Sequence, residues 1–196
     1  MDSNESNEQI KISQVTSVNE IVAIKILQEE NLKKNISEDE AACEGFVSAE
    51  YTLDFLKHIN KIIPSIIAMN GSELVGYSLI ITRESGDVHD LLNDLIQSID
   101  TVSYKGSLLS NRRYVLGGQL CIKKGYRGRG LPQRLYAALK EATHKEFDMC
   151  VTDVAQSNPR SLKAHLRAGF QVVDAKTYGG LHWDIVLLDY NQLLNV

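Results

Sequence analysis

Apolar and polar positions follow two periods along the chain, one typical of strands and one typical of helices. Ile10–Thr16 alternates apolar and polar residues and predicts a half-buried strand. Val18–Asn35 carries a broad apolar face at helical spacing and predicts a helix. A second, less regular helical region opens at Ser37–Glu40, which has the pattern of a capping box, and continues to Ile59.

The middle of the chain predicts a hairpin followed by one more helix. Asn70–Gly71 is a strong turn signal, and it separates two apolar runs, Ser65–Met69 and Glu73–Thr82. Asp87–Asp100 then places leucine and isoleucine at helical spacing. A polar stretch up to Arg113 predicts a loop.

The most distinctive stretch predicts a strand, a glycine-rich loop and a helix in direct succession. Tyr114–Ile122 is an apolar strand that contains the pair Gly117–Gly118. The loop Arg127–Gly130 alternates two arginines with two glycines, and helical spacing begins at Leu131. Unpaired N–H groups at a helix start attract anions, and neighbouring arginines favour a diphosphate.

The last third of the chain predicts a strand, a helix and two further strands. Asp148–Val154 is a short apolar strand, and the next helix starts with Asn158 as its cap and ends at Gly169. Phe170–Val173 and Leu181–Leu188 predict a final pair of strands. The whole pattern indicates a mixed α+β protein.

Composition narrows the classes of protein that fit this pattern. A polar tail at 1–9 predicts disorder, and 10–196 predicts a single domain of the 196-residue chain, 43% of which is apolar. A net charge of −4 without a long basic run argues against nucleic acid as a partner. No apolar run is long enough to span a membrane. Three widely spaced cysteines suit a reducing, cytoplasmic location and predict no metal site.

Two motifs resemble those of the GNAT superfamily of N-acetyltransferases. Arg127 to Gly130 is similar to the acyl-CoA loop of that family, Arg/Gln-x-x-Gly-x-Gly/Ala, although Pro132 replaces its last small residue. The second motif runs from Asn158 to His165, where many relatives have a tyrosine, and on to Gly169–Phe170. The resemblance covers about residues 10 to 190, and it is specific only in these two motifs.

The resemblance implies a fold and a cofactor. The expected fold is α+β (mixed α/β), with a central, twisted and mostly antiparallel sheet. Two neighbouring strands of this sheet would splay apart, and helices would cover both of its faces. Acetyl-CoA, the acyl donor, would lie in the splay with its pyrophosphate at the loop. The cofactor-binding residues implied in this way are Leu120, Cys121, Ile122, Arg127, Gly128, Arg129, Gly130, Leu131, Pro132, Gln133, Asn158 and Ser161.

The same resemblance makes His165 a candidate general acid that protonates the leaving thiolate. A solvated position on an outer helix face is the alternative for this residue. The general base stays open, because the strand Tyr114–Ile122 contains no carboxylate where some relatives have a glutamate. Four other residues are candidates for the general base, although the sequence does not show whether they reach the site: Glu44, His58, His89 and His182. A bound water or an amine that is already neutral would remove the need for a base.

The sequence therefore predicts an acetyl-CoA-dependent N-acetyltransferase. The acetyl group would pass by direct attack, in a ternary complex, to a primary amine of a small molecule or peptide. The alternative is a catalytically weak or inactive acyl-CoA-binding domain that acts as a sensor. The acceptor and the acyl length stay open, and so does the oligomeric state, for which a homodimer is one option.

Overall fold

The computed structural model describes residues 10–88 and 90–192, so the predicted disordered tail lies outside the described residues. The helices and strands are, in chain order, β1 (Lys11–Gln14), α1 (Val18–Asn31), α2 (Glu38–Glu44), α3 (Leu53–Ile62), β2 (Ile66–Asn70), β3 (Glu73–Ile81), α4 (Asp90–Asp100), β4 (Ser103–Tyr104), β5 (Ser107–Leu108), β6 (Tyr114–Ile122), α5 (Leu131–Thr143), β7 (Met149–Ala155), α6 (Pro159–Arg167), β8 (Gln171–Tyr178) and β9 (Leu181–Asp189). Short 3-10 helices lie at Lys33–Asn35, Arg83–Val88 and Leu109–Asn111.

A seven-stranded sheet in the order β1-β2-β3-β6-β7-β9-β8 forms the centre of the described chain. Every neighbouring pair in it is antiparallel except β6 and β7, which run parallel. The hairpin β2–β3 turns at Asn70–Gly71, as the turn signal predicted. The prediction of a mixed, mostly antiparallel sheet is confirmed.

The sheet opens between β6 and β7. The two strands pair only from Tyr114 opposite Met149 to Leu116 opposite Val151, and they separate beyond that point. A bulge at Gly118 coincides with the separation, since Gly117 and Gln119 pair with consecutive residues of β3. A Cβ at Gly118 would lie 2.1 Å from the side chain of Ile81, so any larger residue there would force Ile81 to move. The predicted splay is therefore present, and we call it the splay below.

Helices cover both faces of the sheet, as predicted. Leucines and isoleucines of α1, α3 and α4 pack in one apolar core with residues of β3, β6, β7 and β9. Residues of α5 form a second core on the opposite face with other residues of the same strands and with Phe170. Helix α6 packs against α5 and so lies on the same face of the sheet. The splay is therefore bordered by α6 on that face and by α4 on the other.

Three predicted elements differ in detail. The helical region from Ser37 to Ile59 is two helices, because Gly45 ends α2 in a left-handed conformation with φ of 77°. The helix starting at Val18 ends at Asn31, because Leu32 is extended. A small hairpin, β4–β5, lies in the stretch predicted as a polar loop. A full capping box forms at Ser17, whereas Ser37 only accepts from the N–H of its third helical residue.

Candidate functional site

The glycine-rich loop leads directly into the first turn of α5. Gly125, Gly128 and Gly130 have φ values of 87°, 79° and 71°, a left-handed region in which other residues are strained. The backbone N–H groups of Leu131 and Gln133 belong to the first helical turn, where the helix itself offers no acceptor. The loop therefore presents N–H donors together with the positive end of the helix dipole.

The side chain of Arg127 fastens the loop to its surroundings. Its Nε donates to the carbonyl of Ile122 at 3.0 Å, and its two terminal nitrogens bind Glu44 Oε2 at 2.9 Å and Asn31 Oδ1 at 2.6 Å. With the guanidinium engaged in this way, anion binding at the loop falls to backbone N–H groups. Arg129 is exposed, and its guanidinium lies 5.1 Å from the centre of the Tyr126 ring.

A groove of about 560 Å³ runs from this loop along the end of β6 to α6, and we call it the basic groove. Its walls carry four basic side chains, which are Arg127, Arg160, Lys163 and Arg167. All the predicted cofactor residues line it except Arg129, which points to solvent, and Leu131, which is fully buried. The groove is long and basic, as an acyl-CoA would require.

The backbone of β6 is open on the side of the splay. Lys123 donates its N–H to the carbonyl of Val75 in β3 at 2.9 Å. Because backbone groups alternate in direction along a strand, those of Cys121 also face β3, whereas those of Leu120 and Ile122 face the splay. The carbonyl of Ile122 already accepts from the arginine described above. Cys121 therefore contributes a wall of the basic groove, and Leu120 contributes the unpaired strand groups.

Asn158 joins α6 to the loop that follows α2. Its Oδ1 accepts from the N–H of Ser161 at 3.2 Å, which is the capping bond that the sequence predicts. Its Nδ2 donates to the carbonyl of Phe46 at 2.9 Å. The buried amide is thus engaged on both sides, and it lies where the basic groove meets the interior of the splay.

His165 lies inside the protein rather than on an outer helix face. It is 4% exposed, with Nε2 at 2.7 Å from Tyr136 Oη and Nδ1 at 2.8 Å from the carbonyl of Ser161. Because a carbonyl only accepts, Nδ1 carries the ring proton and Nε2 accepts from the tyrosine. Burial lowers the pKa of His165 to about 4, so the neutral ring dominates near pH 7.

A smaller cavity of about 80 Å³ lies within the splay, and we call it the inner chamber. It is lined by residues 117–120 of β6, 152–155 of β7, the segment 46–49, Tyr51, Trp183, two leucines of α4 and, on the side of α6, Asn158, Ser161 and His165. The basic groove and the inner chamber share part of their walls, namely Phe46, Val47, Leu120, Asn158 and Ser161. The two spaces are therefore adjacent parts of one site.

Asp153 in β7 puts a carboxylate into the inner chamber. The Oη of Tyr178 donates to it, and no lysine, arginine or histidine of the described chain forms an ion pair with it. Desolvation raises the pKa of Asp153 from 3.8 to about 6, although the tyrosine hydrogen bond opposes this shift. Such a carboxylate is ionised at neutral pH and still basic enough to take a proton.

Asp153 was not among the bases predicted from the sequence, which were sought on the central strand and among Glu44 and three histidines. The available signal was the one charged residue in the strand Met149–Ala155, which is apolar apart from Thr152. The carboxylate lies on the partner strand across the splay, a neighbourhood that only the fold reveals.

Three of the other candidate bases, which are Glu44, His58 and His182, do not line the inner chamber. Glu44 binds Arg127 and Arg160, and the hydrogen bond from Arg127 holds the pKa of its carboxyl below the usual range. His182 is exposed and pairs with Thr177, and His58 is exposed on α3. His89 lies outside the described residues.

The described part of the chain holds no group of histidine, cysteine, aspartate and glutamate side chains suited to a metal ion. Among its helices, none combines the length and the apolar composition that crossing a membrane requires.

Comparison with known proteins supports the fold. No protein-family model and no curated protein matches the chain. A GNAT-family acetyltransferase from Streptococcus agalactiae aligns with a TM-score of 0.63 and 18% identity over 93% of this chain and 96% of its own. The acetyltransferase yncA from Salmonella typhimurium, solved with its cofactor acetyl-CoA, aligns at 0.61 and 13% over 96% and 98%. NAA60 from Arabidopsis thaliana in complex with acetyl-CoA aligns at 0.61 and 15% over 92% and 99%. At these identities the likeness shows the fold, which is that of GNAT acetyltransferases.

Proposed function

We propose that the protein is an acetyl-CoA-dependent N-acetyltransferase of the GNAT superfamily that acetylates a primary amine. The observation that carries this proposal is the splay of β6 and β7 beside a glycine-rich helix start. It leaves strand groups unpaired next to an anion site and opens into a chamber that contains a carboxylate. Two neighbours of the same fold were solved with acetyl-CoA bound.

The basic groove fits the cofactor from one end to the other. The N–H groups of Gly128, Gly130, Leu131 and Gln133 would bind the pyrophosphate, while Pro132 offers no donor. The backbone carbonyl of Leu120 would accept a hydrogen bond from the pantetheine arm, as it would from an added strand. The exposed Arg129 and the groove residues Lys163 and Arg167 pair with no acid in the described chain, so they are free to attract phosphate.

The residues around the inner chamber fit the acyl transfer itself. The amine attacks the thioester carbonyl, so that a C–N bond forms and the C–S bond breaks. The backbone N–H of Leu120 would stabilise the oxyanion that develops on the carbonyl oxygen. Asp153 would accept a proton from the amine, a role that suits a carboxylate whose pKa is about 6.

Two groups could supply the proton for the departing thiolate, which are His165 and solvent water. The role of His165 as general acid stays a prediction, and the geometry attaches a condition to it. Both ring nitrogens already have partners, so His165 would have to give up its bond with Tyr136 or with Ser161 before it could act. Solvent that reaches the basic groove is the simpler proton source.

Thermal unfolding in the presence of acetyl-CoA tests the proposal. At a concentration 100 times the dissociation constant, binding stabilises the folded chain by about 2.7 kcal/mol and raises Tm. The variant Gly130→Val should lose this shift, because a β-branched residue is strained at φ of 71° and distorts the loop. Gly106→Val is the matched control, since Gly106 has φ of 77° and lies outside the groove. An unchanged Tm at millimolar acetyl-CoA would contradict the proposal.

A further inference from the structure

Helix α4 forms one wall of the inner chamber, because its Leu92 and Leu95 line it. Both leucines are at most 5% exposed and belong to the core on that face of the sheet. This helix therefore limits the space on the side of the splay where an acceptor has to fit.

The charges and rings around the chamber suit a small cation. Asp153 has no cationic partner in the described chain, and no lysine or arginine lines the chamber. A carboxylate away from bulk water is costly unless a positive group pairs with it. Tyr51 and Trp183 line the chamber, and the Tyr178 ring stacks on Trp183 with centroids 5.4 Å apart. Aromatic faces of this kind attract ammonium groups.

The chamber also has a floor that resists expansion. Gln119 Oε1 accepts from Tyr77 Oη at 2.6 Å and from Gln28 Nε2 at 3.0 Å, and Gln119 Nε2 donates to the carbonyl of Ala49 at 2.8 Å. The Oε1 of Gln28 accepts from the N–H of Tyr51 at 3.0 Å. This buried network holds the segment 49–51 against the bulge of β6. Because these parts of the wall cannot move apart easily, the chamber volume of about 80 Å³ limits the size of the ligand.

We propose that the inner chamber binds the acceptor as a small primary ammonium with a short apolar body, and that α4 sets the length limit. The nitrogen would lie at Asp153, and the carbon chain would point towards Leu92 and Leu95. This inference rests on the proposed function, because the thioester has to reach the same chamber. Of the two protons that the ammonium loses, one ends on the thiolate sulfur and one leaves through Asp153 to solvent. On this proposal a peptide would bind poorly, because its chain continues beyond the amine.

Equilibrium binding of amines to the CoA-saturated protein tests this inference without turnover. The probes are a series of unbranched primary alkylamines, the alcohols of equal length, and a hexapeptide with a free N-terminus. We expect the short amines to raise Tm up to a cutoff length, and the alcohols and the peptide to leave it unchanged. Each probe is also measured without CoA, so that amine binding is followed independently of cofactor binding.

Three variants and one control test which residues determine amine binding and the length cutoff. Asp153→Asn keeps the acceptor for Tyr178 but removes the charge, and it should weaken amine binding by about 30-fold or more. Leu95→Ala should move the cutoff to longer amines, and Leu95→Val should move it less. Ile96→Ala is the matched control, since Ile96 is a buried residue of α4 that does not line the chamber.

The outcomes separate this inference from the proposed function. Equal shifts with amines and alcohols, a shift with the hexapeptide, or the same cutoff in Leu95→Ala and Ile96→Ala would each overturn the inference. A Tm that rises with CoA but with no amine would overturn it while leaving cofactor binding intact. A protein that binds amines through Asp153 without responding to CoA would support the chamber and contradict the transferase.

Discussion

The basic groove and the inner chamber share a wall, yet the charged side chains that line them differ in sign. The groove is about 560 Å³, is lined by arginine and lysine, and begins at a helix N-terminus. The chamber is about 80 Å³ and contains the carboxylate of Asp153 among aromatic, aliphatic and uncharged polar side chains, with no lysine or arginine. An anionic cofactor and a cationic acceptor would therefore sort themselves into the two spaces by charge.

The boundary between the two spaces lies where the sheet opens. Phe46, Val47 and Asn158 belong to both linings, and Leu120 presents its backbone at the same place. A reaction between a ligand in the groove and a ligand in the chamber would take place at this boundary.

The largest expected effect is on the chamber side. Asp153→Asn should lower kcat by about 10²- to 10⁴-fold, because the attacking nitrogen loses its proton acceptor. Acetyl-CoA affinity should stay unchanged, because the groove is untouched. In the unaltered protein, kcat/KM should rise from pH 5 to pH 7 as the carboxyl with a pKa of about 6 ionises. Steady-state kinetics across pH, with calorimetric titration of acetyl-CoA, measure all three.

Asp184→Asn is the matched control for that exchange. Asp184 lies in β9, accepts from Gln156 Nε2 at 2.8 Å and does not line the chamber. Its kcat should stay within about twofold of the original value, because Asp184 is half-buried outside the chamber and its replacement by asparagine keeps an acceptor for Gln156. Equal losses in the two variants would show that Asp153 acts through stability alone.

His165→Phe tests whether the histidine of α6 acts in catalysis or only stabilises the fold. Removing the imidazole leaves the buried Oη of Tyr136 without its acceptor, so the free energy of unfolding should fall by about 1–3 kcal/mol. We expect kcat to change by less than about tenfold, because a pKa near 4 leaves little imidazolium at pH 7. General acid catalysis by His165 predicts a loss of about 10²-fold or more instead. Chemical denaturation and kcat distinguish the two.

Reversing one charge in the basic groove should have a smaller effect than the substitution at Asp153, and the effect should be on acetyl-CoA affinity alone. Lys163→Glu should weaken acetyl-CoA affinity by about 3- to 10-fold, and the difference should shrink at high salt, because the site is exposed. The control is Lys145→Glu, an exposed lysine that does not line the groove. A change in amine binding by Lys163→Glu would contradict the separation of the two spaces.

The smallest expected effect is on stability and comes from the same carboxylate. Because the pKa of Asp153 is higher in the folded than in the unfolded chain, the folded state binds more protons between about pH 4 and pH 6. Stability contributed by this group is therefore present at low pH and lost as pH rises through 6. Asp153→Asn should raise the free energy of unfolding by about 1 kcal/mol at pH 8, after allowance for solvent screening, and by nothing at pH 4. Urea denaturation at both pH values measures the difference.

Local patterns were enough to predict the parts of the site that are continuous in sequence. Tyr114–Ile122 is the observed β6, and the glycines of the loop take the left-handed conformation that the helix start requires. The direction of the Arg127 side chain was not accessible, because its partners Asn31 and Glu44 come from helices distant in sequence. Gly45 carried a local signal for the end of α2, but helical spacing on either side concealed it.

The chamber could not be predicted, because its residues meet only across the splay. Asp153 in β7 faces a cavity since β6 and β7 stop pairing after Leu116. The helical spacing of α4 indicated packing, but not that Leu95 would border the acceptor space. His165 was assigned a role from its place in a motif, whereas its hydrogen bonds depend on Tyr136 in another helix.

The most direct test of the account is to follow both products of one reaction. Acetyl-CoA and a short alkylamine are mixed with the protein, and the free thiol and the acetylated amine are quantified by mass spectrometry over time. The account predicts equal amounts of CoA thiol and N-alkylacetamide, formed at a rate that Asp153→Asn suppresses. Binding of acetyl-CoA without either product, across the whole amine series, would contradict it and identify an acyl-CoA-binding domain.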